Sequence, residues 1–271
     1  MGIIHKERNI QVPGLDIKSW LDDSKIKQVT DKDRRSTWIR AFILHTVHGK
    51  LGTVKPGKAP PGPLAERYAN YQTNTDRDVS WDYTEDLDGS FIVQNDPTKF
   101  YTWQAGAANR FTLGMEMVQE ENGDLYSDQI DKAVQFIDAI TALNGIQRVI
   151  PWNTGEDKPI TKKIDRLETC NDFVGVLAHF HQTTNRGPGD PGPHIFYALK
   201  AAGYKLFDPR RNEDKDFWKA IQRSAGMSVT DADGVPGPKT RRLLRDTGRK
   251  HGMIVQRPVD SLIEIPEEFY Q

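Results

Sequence analysis

Apolar residues in this chain come in short bursts, and the bursts alternate between two periods. Trp38 to His45 (WIRAFILH) becomes continuously apolar toward its end, as a buried central strand does. Phe111 to Val118 and Val174 to His179 read as two further strands. Between the first two lies a hairpin signal: Val79 to Thr84, an Asp86-Leu-Asp88-Gly89 turn, then Ser90 to Gln94. Helical spacing replaces strand spacing at Ile130, Val134, Ile137 and Ile140, with Ser127 as the expected N-cap and Asn144-Gly145 as the stop. Shorter helical patterns cover Leu64–Tyr71 and Pro193–Ala202. The polar segments are expected to be irregular. They are residues 1 to about 35 (apart from an amphipathic stretch at Ile17–Leu21), the loop Val54–Pro63 with four prolines and two glycines, and residues 151–168. Strands and helices thus mix along one unit of about 200 residues, which predicts an α/β or α+β layer architecture.

A charged run, Arg210 to Asp216, marks a boundary and divides the 271 residues into 1–208 and 209–271. The second part shows two short helical patterns around Asp233-Gly234. Composition narrows the function classes. With 37 basic against 38 acidic residues the net charge is −1, so no basic field exists to hold nucleic acid or an anionic membrane. No apolar run has the length of a membrane span. The first eight residues, MGIIHKER, lack the apolar core of an export signal. Cys170 is the single cysteine, so a bound metal must rely on histidine and carboxylate ligands.

Candidate chemistry sits at the strand ends. His45 closes one predicted strand and His179 another, and Asp190 follows within the turn-forming stretch Gly187 to Pro193. Two imidazoles and one carboxylate suit a catalytic zinc, with a fourth position left for water. His181 is the alternative to His179, since both follow the strand on the same side of an extended chain. Glu116, flanked by Met115 and Met117, is a carboxylate in an apolar run and reads as functional.

Several motifs, in order, resemble one known family. Ile43-Leu-His45-Thr looks like the first zinc motif of the type 2 amidases, which include bacterial and phage N-acetylmuramoyl-L-alanine amidases and the peptidoglycan recognition proteins. Ser80 to Gly89 resembles the family hairpin, Tyr101 to Gly106 its Trp-His-Ala-Gly turn, and Leu113-Gly-Met-Glu116-Met its glutamate strand. Tyr126 to Gln129 resembles the next helix start, and Asp190-Pro-Gly-Pro193 the third ligand motif. The likeness spans about residues 38 to 200. It implies an α/β fold, with a mixed central sheet flanked by helices, and a zinc ion on His45, Asp190 and either His179 or His181. It also implies hydrolysis of the amide between N-acetylmuramic acid and L-alanine, with Glu116 as the general base that activates water. Trp81, Trp103 and Asn109 fall where substrate contacts are expected, and the Val54–Pro63 loop where it would edge the groove.

The chain departs from the family in places. The lysine often found two residues before the third ligand is Pro188 here, and Arg186 is the nearest cation that could stabilise an oxyanion. Asp82 and Gln104 stand where many members carry histidines. In the second part, Trp218 to Gln222 and then Asp233-Gly234, Gly237-Pro238 and Thr240 resemble a small α-helical peptidoglycan-binding domain, which would tether the hydrolase to its polymer. The partner implied is peptidoglycan, glycan strand with stem peptide, and a monomer is expected. The setting implied is a phage endolysin, or a secreted or injected wall-lytic effector, made in the cytoplasm and acting on the wall. A receptor that binds peptidoglycan without turnover and a zinc endopeptidase cutting within the stem peptide are the competing readings.

Overall fold

The computed structural model describes residues 2–5, 8–30, 39–60, 62, 64–89, 91–96, 98–164, 175–208, 219, 222–223, 226–235 and 240. In chain order the strands before the first helix are β1 (Ile3–His5), β2 (Arg8–Ile10), β3 (Asp16–Ser19), β4 (Ala41–Thr46) and β5 (Val54–Lys55). Then come α1 (Leu64–Asn74), β6 (Tyr83–Glu85), β7 (Phe91–Gln94), β8 (Thr112–Met117), β9 (Leu125–Tyr126) and α2 (Ser127–Asn144). The last are β10 (Val149–Asn153), β11 (Lys158–Pro159), β12 (Gly175–Ala178), α3 (His194–Ala201) and β13 (Lys205–Phe207).

Six strands make the central sheet in the order β12-β4-β8-β6-β7-β3. Five neighbouring pairs form it, and only β6 with β7 is antiparallel. This is a mixed sheet flanked by helices, the fold class expected from the sequence. Alternation along the strands sorts the side chains by face. Phe42, Leu44, Leu113, Met115, Tyr83, Val176 and Ala178 join one apolar cluster with Ile130, Phe136, Ile137 and Ile140 of α2 and Ile195, Phe196 and Leu199 of α3. Opposite residues, Ile43 and His45 on β4 and Gly114 and Glu116 on β8, take the other face. There α1 covers only the β6–β7 half, with Ala65 and Ala69 packed against Val93. The β12-β4-β8 half is left for a site.

Local chemistry explains the element ends. Gly145 adopts φ +66 and caps α2, as the Asn-Gly stop predicts. Gly89 adopts φ +67 in the hairpin turn and donates its N–H to Asp86 O at 3.0 Å. Ser127 does not act as the N-cap: α2 begins at Ser127 itself, and its hydroxyl accepts the Gly57 N–H at 2.7 Å, pinning the proline-rich loop. That loop is not wholly irregular either, since β5 pairs with β9 and Ala59 is buried against Leu87 and Val118. Residues 1 to 35 also hold more structure than their polarity predicts. They supply the β1–β2 hairpin and the edge strand β3, which lies along β7 with Ile17 buried. Residues 151–168 include part of a second sheet, β11-β10-β13, whose Trp152 is fully buried with its indole N–H on Asp157 at 3.0 Å.

Candidate metal centre

Three adjacent parallel strands deliver the key side chains to one edge. On β4 and β8, His45 stands in register with Glu116, and on β12 Ala178 stands beside Leu44, so His179 follows next to His45. Strand alternation puts all three on the face opposite the apolar cluster. The fourth element is the turn Gly187–Asp190, bound to the end of β4. Thr46 Oγ1 donates to Gly189 O at 2.6 Å and Thr46 N to Asp190 Oδ1 at 3.0 Å. This contact needs glycine at 189, because a Cβ there would meet Lys50 C at 2.2 Å and Leu51 N at 2.3 Å.

The donor atoms converge. His45 Nδ1 and His179 Nδ1 are 3.0 Å apart, His179 Nδ1 is 3.3 Å from Asp190 Oδ2, and His45 Nδ1 is 3.9 Å from Asp190 Oδ1. An ion with ligand bonds of about 2.0–2.1 Å in a tetrahedron holds its ligand atoms about 3.3–3.4 Å apart. The observed separations straddle that spacing. Two imidazole nitrogens and a carboxylate oxygen are also a donor set that suits zinc and leaves one position open. Among the described residues, His45, His179 and Asp190 are therefore a group that fits the ion.

Electrostatics favour the deprotonated ligands such an ion needs. Burial, and then the neighbouring His179, push the His45 pKa down to about 3, so the imidazole is neutral at ordinary pH. For Asp190, burial acts to raise the pKa. The hydrogen bond from His179, the nearby His45 and the Thr46 N–H outweigh it and hold the carboxyl below its usual range. Glu116 goes the other way: burial and then the charge of Asp190 raise it well above the usual range, against a smaller opposing pull from Arg186. Its Oε2 is buried and has no hydrogen-bond partner among the described residues. A carboxyl held beside the donor set with one oxygen unengaged is placed to take and return a proton.

His181, the alternative second ligand, is engaged elsewhere. Its Nδ1 accepts the Ala178 N–H at 2.9 Å, so its Nε2 carries the proton and donates to Ile160 O at 2.6 Å. Both nitrogens are used, the ring is buried, and burial lowers its pKa to about 4. The structure brings His179, and not His181, to the cluster. Arg186 is present at the rim, its Nε 3.6 Å from Asp190 Oδ2.

The expected substrate contacts divide. Trp103 is 41% exposed, on the loop before the turn that holds Gln104. Trp81 is buried at 7% exposure, and its indole N–H donates to Thr84 Oγ1 at 2.7 Å, so it packs inside the protein. Asn109 is buried as well, its Oδ1 accepting the N–H groups of Gln104 at 3.1 Å and Ala105 at 2.6 Å. Its side chain shapes the loop. Sequence reading assigned no structural role to Gln104, whose Oε1 lies 3.1 Å from His45 Nε2.

In the second part of the chain, Gln222 organises the Asp-Gly turn. Its Nε2 donates to Asp233 Oδ1 at 2.8 Å, Val235 O at 3.0 Å and Thr240 Oγ1 at 2.8 Å, while its Oε1 accepts the Gly234 N–H at 2.8 Å. Asp233, Gly234 and Thr240 thus build the loop. Gly237 lies outside the described residues. No described helix is long and apolar enough to cross a membrane.

No family profile matches the chain. No curated protein matches it either. Among solved structures it is similar to the N-acetylmuramoyl-L-alanine amidase LysC from Clostridium intestinale, at 13% identity and a TM-score of 0.41, over 70% of this chain and 97% of that one. It is similar to the Drosophila peptidoglycan recognition protein SD, at 12% identity and a TM-score of 0.42, over 72% and 98%. A mutant endolysin from Bacillus subtilis overlaps at 18% identity and a TM-score of 0.37, over 69% and 97%. Overlap at this level leaves the chemistry of the chain to be read from its own residues.

Proposed function

We propose that this protein is a zinc-dependent N-acetylmuramoyl-L-alanine amidase acting on peptidoglycan, with residues 209–271 as a wall-binding module. The observation that carries the reading is the convergence of His45 Nδ1, His179 Nδ1 and the Asp190 carboxylate beside Glu116, whose Oε2 has no hydrogen-bond partner among the described residues. When bound, zinc supplies a Lewis acid that polarises the scissile carbonyl and acidifies the attacking water.

The chain's own groups supply the rest. Glu116 removes a proton from water as its oxygen bonds to the lactyl carbonyl carbon. It then returns that proton to the alanine nitrogen as the C–N bond breaks. The products are a free lactyl carboxyl and a stem peptide with a new amino terminus. Arg186, with its side chain 48% exposed and its Nε turned to Asp190, keeps its remaining N–H groups for the oxygen that gathers charge. Trp103 offers an exposed aromatic face to the sugar or peptide.

The test is digestion of purified sacculi with mass spectrometry of the released material. Soluble stem peptides beginning with L-alanine should appear, only with zinc present, and Glu116→Ala should abolish them while the protein still binds zinc. Sacculi that bind the protein but release no such peptides would refute the amidase in favour of a receptor. Fragments cut within the stem peptide would point to an endopeptidase.

A further inference from the structure

A chain of buried polar groups behind His45 has one permitted direction. Asp82 is fully buried, and its Oδ2 accepts from Thr102 Oγ1 at 3.0 Å, from Gly114 N at 2.8 Å and from Gln104 Nε2 at 3.4 Å. A carboxylate oxygen taking three donors is an acceptor only, so the Gln104 amide must turn its NH2 group to Asp82. Its carbonyl oxygen then faces His45 Nε2 at 3.1 Å. That oxygen can only accept, so the proton of the neutral imidazole sits on Nε2. Nδ1 is left as a bare lone pair aimed at His179 and Asp190.

The backbone is shaped to allow this. A Cβ on Gly114 would lie 1.2 Å from Gln104 Oε1, so the glutamine side chain crosses β8 through the gap that a glycine leaves. Glycine weakens a strand interior and often marks such a close approach. Asn109 fixes the other end by accepting the Gln104 and Ala105 N–H groups.

We propose that Asp82 and Gln104 are positioning residues that lock His45 in the Nε2–H tautomer and so present Nδ1 as a metal donor. The inference rests on the zinc reading above, and it assigns these two residues a role in ligand control. Groups that hydrogen-bond the far nitrogen of a ligating histidine set its tautomer and ring orientation, and their loss costs about 10- to 100-fold in metal affinity.

Nitrogen-15 NMR of the metal-free full-length protein at neutral pH reads the tautomer, and competition with a chromophoric chelator reads zinc affinity. Wild type should show His45 protonated on Nε2. Gln104→Leu should mix the tautomers and weaken zinc about 10- to 100-fold. Gln104→Lys, which offers only donors and can still pair with Asp82, should drive the proton to Nδ1 and weaken zinc further. Gly114→Ala should weaken zinc by displacing Gln104 with its chemistry intact. A wild-type His45 protonated on Nδ1, or folded variants that bind zinc as tightly as wild type, would overturn the proposal. If Gln104→Leu does not fold, the wild-type tautomer decides alone. A wild type that keeps the Nε2–H tautomer but binds no zinc supports the lock and refutes the metal reading.

Discussion

Glu85 is the least comfortable residue of the central sheet, and replacing it should stabilise the protein. It is fully buried on β6, paired across to Ile92 on β7 and Met117 on β8. It shares with Tyr83 the face that packs under α2. Among the described residues, neither carboxyl oxygen has a hydrogen-bond partner. Burial, then the neighbouring Asp86 and Asp88, raise its pKa well above the ordinary 4.5. A buried polar group without a partner costs about 1–3 kcal/mol, so Glu85→Met, unbranched and of similar volume, should gain about that much. For a chain of this size that corresponds to a melting temperature about 2–12 °C higher. The sign with pH follows from the raised pKa. Below its unfolded-state value near 4.5, where both states are protonated, ionisation adds nothing to that cost. As pH rises toward the folded value, only the unfolded state ionises, and stability falls by at most about 1.4 kcal/mol per pH unit from this residue. Urea denaturation followed by circular dichroism from pH 4 upward, on both proteins, isolates the term as their difference. The gap should be smallest near pH 4 and widen as pH rises. A less stable variant, or a gap that does not change with pH, would mean that Glu85 finds a partner in solution.

The two neighbouring histidines should separate cleanly. His179→Ala should lose zinc in metal analysis with little change in the urea midpoint of the metal-free protein. His181→Ala should keep zinc and lose about 1–3 kcal/mol, because it orphans the buried Ala178 N–H and Ile160 carbonyl. The reverse pattern would exchange their roles. Gly189→Ala should drive the Asp190 turn away from backbone atoms of Lys50 and Leu51 that a Cβ would meet at 2.2–2.3 Å. Chelator competition should then show zinc bound about 10-fold or more weakly, and unchanged affinity would show that the turn can give way.

Legibility in the sequence followed burial. Strands β4 and β8, which carry His45 and Glu116, lie inside the sheet, and β12, which leads to His179, is buried along its whole length at the sheet's end, so their apolar runs stand out; the Asp-Gly and Asn-Gly turns carry their own backbone requirement. Edge strand β3 and the second sheet left weaker signals. Asp16, Lys18 and Ser19 look like loop composition, and β10 carries Pro151 within the run Val149–Asn153. Which of two histidines meets the donor set was beyond periodicity, because the chain leaves the strand for a 3-10 turn at His179–His181, where His181 is held by the Ala178 N–H and the carbonyl of Ile160, 21 positions away. The burial of Trp81 and Asn109 was hidden for a related reason. An aromatic ring or an amide near a site has the same letter whether it faces the groove or satisfies the loop, and only the partners Thr84, Gln104 and Ala105 tell the two apart. Gln104 is the sharpest case. Its amide is directed by Asp82, its passage is opened by Gly114, and its carbonyl oxygen reaches His45, so three other stretches of chain must meet it before its chemistry exists. In sequence, Asp82 and Gln104 look like losses from a histidine-bearing pattern. Folded, they form an oriented hydrogen-bond chain in which each polar group leaves the next one a single choice, and the last choice falls on the nitrogen that faces the donor set.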